Sequence, residues 1–153
     1  MDLFEQSEQL GRKIFSTIYP TYTKSFSTDK YAWYDVSGYT TNSTLSLTTP
    51  QPYIAEIKVR ENLNYNEHPT VLLEKKKYDK LINHTIESGI PSFYFCIYQD
   101  KTLVTNLTHL DFDDIKLTKK WLPKTSKKDD GYEWKDVYLV PLNYFKKINK
   151  GYK

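Results

Sequence analysis

The chain has 153 residues, 39% of them hydrophobic and 27% charged, and a net charge of +3. It is long enough to bury one domain core without disulfides or structural metals. Its net charge is too small for overall attraction to carry nucleic-acid binding, so any such binding needs a local basic patch. A single cysteine, Cys96, excludes an internal disulfide and reads as a small buried hydrophobe inside "SFYFCIY". No run approaches the roughly 18 apolar residues of a membrane span, and "MDLFEQSEQL" lacks the basic start and apolar centre of a signal peptide. A reducing, cytoplasm-like compartment and no membrane partner are expected.

Residues from about 2 to 19 carry Leu3, Phe4, Leu10, Ile14, Phe15 and Ile18 at helical spacing, with Gly11 beneath them and Pro20 closing the segment. The aromatic and β-branched runs "TYTKSFS" (21–27) and "KYAWYDVSGY" (30–39) read as strands. A Thr/Ser-rich connection follows, in which "TLSLT" reads as a short extra strand, and then a strand at 53–60. "ENLNYNEHPT" is polar and turn-prone. A second helix is expected from about 72 to 88, burying Tyr78, Leu81, Ile82 and Ile86, with Gly89 and Pro91 to stop it. "SFYFCIY" has the continuous apolar character of a strand buried on both faces, and "QDK" turns it into "TLVTNL". Beyond that, "WLPKT" and "WKDVYLVPL" are placed to pair across "SKKDDGYE", and "NYFKKINK" is expected as a short final helix. The order predicts one α+β domain over 1–153, with helices packed on a mixed sheet in a sandwich-like arrangement.

The strand "YIAEIKVREN" interrupts its apolar pattern with charge. Alternate residues of a strand share a face, so Tyr53, Ala55, Ile57 and Val59 point one way while Ile54, Glu56, Lys58 and Arg60 point the other. Upstream, Asp35 shares a face with Trp33 and Ser37. Aspartate is disfavoured in strands, yet this one stands among strong strand formers. If the two strands are neighbours, Asp35 and Glu56 converge and form an oxygen-lined seat for Mg²⁺, to which the peptide carbonyl of Ile57 can add a further oxygen. Lys58, on the same face as Glu56, is placed to stabilise charge on a phosphate or to orient a water. Arg60 is a candidate contact for a nucleic-acid backbone. The plain alternative is a structural ion network. His68, His84 and His109 show no zinc spacing, and the phosphate-loop and dinucleotide-binding signatures are absent.

An aspartate in "WYDVSG" followed about twenty residues later by an apolar-flanked E-x-K in "IAEIKV" resembles the PD-(D/E)xK nuclease superfamily. The resemblance covers about residues 2–107 and departs from the signature in one place, where Tyr34 rather than proline precedes Asp35. It implies a restriction-endonuclease-like core of helix, three strands, helix and strand, with 108–153 as a C-terminal hairpin extension. It implies a Mg²⁺-dependent phosphodiesterase acting on DNA, with Mn²⁺ able to substitute. Asp35, Glu56 and Ile57 would hold the cation and Lys58 would assist the reaction. Many such nucleases add an acid from the first helix, and Glu8, bordering the buried stripe, fits that role better than Glu5. They often turn a basic residue of the second helix towards the cleft, which here points to Lys77. Some, the junction resolvases, act as homodimers. The rival expectation is a non-catalytic nucleic-acid-binding or assembly subunit with the same fold.

Overall fold

The computed structural model describes residues 3–28, 32–40, 50–124 and 131–153. The apolar spacing of the N-terminal segment produces helix α1, Leu3–Ile18, which buries Ile14 and Phe15 and leaves Leu3 exposed. Of the long strand expected at 21–27, only Ser25–Phe26 is extended, as β1. The next strand, β2, is Val36–Tyr39, so Asp35 stands just before it. The third, β3, is Pro52–Val59. The segment "TLSLT" and Lys127 and Lys128 lie outside the described residues.

The region expected to open the second helix at 72 instead forms strand β4, Thr70–Glu74, and helix α2 begins at Lys75 and runs to Ser88. The run "TVLLE" suits either element by composition. Its pairing with a later strand decides the outcome, because Leu73 and Val71 are drawn into the core opposite Tyr138 and Val140. Gly89 ends α2 in the left-handed region, with its N–H on the Thr85 carbonyl. Leu81 is the helix's buried anchor, whereas Ile86, expected inside, is 74% exposed.

Strands β5 (Ser92–Ile97) and β6 (Thr102–Asn106) form the expected hairpin. Strands β7 (Lys116–Pro123) and β8 (Tyr132–Pro141) pair as "WLPKT" and "WKDVYLVPL" suggested. The final segment differs from expectation. A single 3-10 turn, Leu142–Tyr144, leads to a short strand β9, Lys146–Ile148, which fills the outer edge of β6. An open strand edge offers three residues more backbone bonding than an isolated helical turn can make for itself.

Two sheets result. The larger has six strands in the order β1-β2-β3-β5-β6-β9, with β3 and β5 parallel and every other neighbour antiparallel. The smaller has the order β4-β8-β7. Helix α1 packs on the Ala55/Ile57/Val59 face of β3, where a side chain at Gly11 would meet Ile57 Cγ2 at 3.0 Å and Val59 Cγ2 at 3.1 Å. That face holds a core of Phe15, Val36, Tyr53, Ala55, Phe95 and Val104. The opposite face, carrying Ile54, packs with Leu81 of α2 and with Val71, Leu73 and Val140 of the small sheet. The architecture is α+β with a mixed sheet between two cores. Among the described residues, no helix is long and apolar enough to cross a membrane.

Candidate active site

The alternation along β3 sets the site. Ile54 N–H donates to the Pro91 carbonyl and Arg60 N–H to the Ile97 carbonyl, so the even-numbered peptides face β5. The odd-numbered ones face β2, where the Ala55 carbonyl accepts from Asp35 N–H at 2.9 Å. The β2–β3 ladder ends with Val36 opposite Ala55; one step further, the same antiparallel register sets Asp35 opposite Glu56.

At that step the backbone pairing is replaced by a side chain. Asp35 Oδ2 accepts the Ile57 N–H at 2.7 Å, while the Asp35 carbonyl accepts from Ser27 N–H at 2.8 Å. The carboxylate thus stands in for the next ladder acceptor and is fixed to β3, with its second oxygen left to face elsewhere. The N–H and C=O of one extended residue point to the same edge. The Ile57 carbonyl is therefore directed to the side where β2 has ended.

Glu56 lies beside it. Its side chain is only 13% exposed. Oε1 forms an ion pair with Lys77 Nζ at 3.1 Å, while Oε2 is buried without a hydrogen-bond partner among the described residues. Its carboxyl is pushed up to about 8, first by burial and then by the nearby Asp35 charge, against the opposing pull of Lys77 and of Lys58. Lys58 is an exposed residue. Its ammonium is lowered by loss of hydration and then by the Arg60 guanidinium, with Glu56 acting the other way, and water around the exposed stem tempers that lowering. Asp35, Glu56, Lys58 and Lys77 thus occupy one neighbourhood, drawn from the end of β2, from β3 and from the first turn of α2.

Two expected participants are held elsewhere. Arg60 shares the Glu56 face, but its guanidinium turns inward. It donates to the Leu72 carbonyl at 2.8 Å and to the Tyr94 hydroxyl at 3.3 Å, tying β3 to β4 and β5 rather than presenting itself to an external phosphate. Glu8 lies on α1, which covers the other face of β3. Its carboxylate is engaged by Arg12 at 2.5 Å, and Arg12 also donates to the Ser27 carbonyl at 2.6 Å and lies over the Phe26 ring.

An open groove of about 490 Å³ is lined by Trp33, Tyr34, Tyr39, Tyr53 and His84 among others, and by none of the four charged residues. The His84 and Trp33 ring centroids lie 4.9 Å apart. Nothing in the spacing of His84 links it to Trp33, because the two meet only through packing of α2.

Among the described residues, no three His, Cys, Asp or Glu side chains gather as a metal site. The donor set is two carboxylates and a carbonyl, all hard oxygens. This suits Mg²⁺, which takes one or two carboxylates and keeps several waters. The partnerless, buried Glu56 oxygen is the feature that a cation would satisfy. Compared with protein-family models, with curated proteins and with solved structures, the chain matches none.

Proposed function

We propose that the chain is a metal-dependent phosphodiesterase acting on nucleic acid, with DNA the substrate that the PD-(D/E)xK resemblance suggests. The observation that carries the reading is the buried, partnerless Oε2 of Glu56 beside an Asp35 carboxylate that is fixed by the Ile57 amide. Two such carboxylates are costly together without a positive charge between them. Further support comes from the element order. A helix, three consecutive neighbouring strands, a helix and another strand follow in order, with Asp35 just before β2, Glu56 and Lys58 on β3, and β4 as an addition before α2.

In this reading Asp35, Glu56 and the Ile57 carbonyl hold Mg²⁺ or Mn²⁺, which when bound polarises a phosphoryl oxygen and acidifies water. Asp35 is positioned by its bond to β3, so the seat needs little rearrangement. Lys77 holds Glu56 in place from α2 and keeps positive charge at the site. Lys58, exposed and on the same face, is the group free to approach the attacked phosphate. A depressed ammonium pKa also lets it release a proton more readily than an ordinary lysine.

The second reading is a non-catalytic nucleic-acid-binding or assembly subunit. The Glu56–Lys77 ion pair favours it, since that pair partners one carboxylate oxygen without a cation. Incubation with plasmid, single-stranded DNA and a four-way junction, in Mg²⁺, Mn²⁺ or EDTA, separates the two. Cleavage that needs the cation and falls on the order of a hundredfold or more in Asp35→Asn and Lys58→Ala is expected. Cation-independent binding with no cleavage of any substrate by the wild type would overturn the enzymatic reading.

A further inference from the structure

The β7–β8 hairpin extends past the body of the molecule. Strand β4 pairs with β8 only from Val137 onward, so the backbone of β8 from Tyr132 to Asp136 pairs with β7 alone, and Lys135 reaches Glu74 of β4 through its side chain at 2.8 Å. A two-stranded ribbon is marginal in water by itself. This one carries large apolar side chains on an open face: Trp121 is 56% exposed, Trp134 64% and Tyr132 42%. Trp121 and Trp134 are directly opposed across the ribbon, with ring centroids 5.4 Å apart, and Tyr132 stacks near-parallel to Trp121 at 6.3 Å. Two of the chain's three tryptophans are thus held in water on one arm.

Charge is concentrated on the same arm. The described residues of the arm, 116–124 and 131–141, contain five lysines against two carboxylates, a net +3, equal to the net charge of the whole chain, so the remainder is balanced. Lys119 shares the aromatic face, paired with Asp136 at 3.0 Å. Lys116 and Lys120 are exposed along β7, the outer strand of the sheet, on the face opposite the rings. Cationic side chains along an edge, beside flat rings on a face, match a polymer that has a phosphate backbone on one side and unstacked bases on the other. The face also leads towards the acid cluster. Tyr138, four residues from Trp134 on the same side of β8, packs against Tyr78 of α2 with ring centroids 5.6 Å apart. The neighbour of Tyr78 in sequence is Lys77, the partner of Glu56.

We propose that the β7–β8 arm binds single-stranded nucleic acid, with bases stacked on Trp121, Trp134 and Tyr132 and the backbone followed by lysines of β7. Duplex bases are already stacked on each other and offer those rings nothing comparable, so the arm prefers single strands. The inference goes beyond the hydrolytic reading, since an arm can hold a strand whether or not the acids cut it.

The test is fluorescence anisotropy in EDTA, where cleavage plays no part. The probes are a labelled oligothymidylate of about 15 nucleotides, at the upper end of the site sizes such surfaces cover, the matching oligouridylate, and a duplex of equal length. Tighter binding of either single strand than of duplex is expected. Trp121→Ala or Trp134→Ala should weaken it on the order of tenfold each. Lys119→Glu with Lys120→Glu keeps the aromatic ladder intact; it should weaken binding and flatten the salt dependence, by a slope of about 0.7 for each phosphate no longer neutralised. Melting curves identify any variant that fails to fold, and for such a variant the charge-reversal result decides. Unchanged affinity in folded tryptophan variants, or preference for duplex, overturns the proposal. So does loss of self-association in those variants with oligonucleotide binding intact, which would make the aromatic face an interface between copies of the chain.

Discussion

Glu56→Gln is the substitution with the most direct link from geometry to measurement. In the folded protein the Glu56 carboxyl titrates near 8 instead of its ordinary 4.5, through burial and then the Asp35 charge. Between those two values the folded state holds a proton that the unfolded chain has released. Stability therefore falls as pH rises from about 4.5 to about 8 and is level on either side. The interval corresponds to a ceiling of roughly 5 kcal/mol at 1.36 kcal/mol per pH unit; water entry and side-chain relaxation bring the expected cost to about 2–5 kcal/mol. That is a large share of the stability of a domain, typically about 5–15 kcal/mol. Glutamine keeps an acceptor for Lys77 but cannot ionise. The variant should match the wild type at pH 4.5–5 and exceed it above pH 8, raising Tm there by roughly 10 °C. Urea or thermal melts across that range, with and without Mg²⁺, read this out. Mg²⁺ replaces the proton, so it should stabilise the wild type at high pH and leave the Gln variant unmoved. Parallel stability curves for the two proteins, or a gap that opens as pH falls, would refute the reasoning.

Arg60→Ala removes the donor that serves the Leu72 carbonyl and the Tyr94 hydroxyl and should cost roughly 3 kcal/mol in urea melts, while oligonucleotide affinity of the folded protein stays unchanged. Gly38→Ala would set a Cβ 2.0 Å from the Thr23 carbonyl oxygen and 2.7 Å from its carbon. Backbone cannot yield cheaply there, so a loss of about 3 kcal/mol or more in the same assay, or failure to express folded protein, is expected. At Asp35, Asn retains an oxygen for the Ile57 N–H and should lie within about 1 kcal/mol of wild type. Ala leaves that amide unpaired and should cost about 1–3 kcal/mol, while both variants lose cation-dependent stabilisation in calorimetric melts.

The face of each β3 residue was legible from alternation alone. Glu56 and Lys58 fall on one side, and Ala55 and Ile57 on the side that α1 covers. Lys77 entered through the family resemblance, and its ion pair with Glu56 follows from α2 crossing that face. What alternation does not carry is depth. Arg60 has the correct face for a backbone contact, but β4 lies over it, and β4 was hidden because Val71, Leu72 and Leu73 satisfy a helical start as well as a strand. The pairing of β4 with β8, some sixty residues away, decides between them. The terminal Lys146–Ile148 strand was hidden for the same reason, since its partner is the open edge of β6. Glu8 shows the limit of a helical wheel, which locates the margin of a stripe without saying which neighbour occupies it. Here that neighbour is Arg12, one turn further along α1.

The two acids differ in what the fold asks of them, and the difference bears on why both are present. The end of the β2–β3 ladder needs one acceptor for the Ile57 N–H, a need that a neutral Asn would meet without adding charge. Lys77 needs one oxygen, which Glu56 Oε1 supplies, but satisfying Lys77 does not require a second oxygen to be buried with no partner. Glu56 therefore carries one more oxygen than its structural task uses, and the nearby Asp35 charge adds to the cost of ionising it. An amide pair of similar volume would keep an acceptor for the Ile57 N–H and for Lys77 and remove the repulsion. A buried, unpartnered Glu56 oxygen near the Asp35 carboxylate, with Lys77 holding Glu56 and Lys58 exposed on the same face, suits a cation and a phosphate better than it suits the fold. The stability gained by Glu56→Gln measures what that arrangement costs.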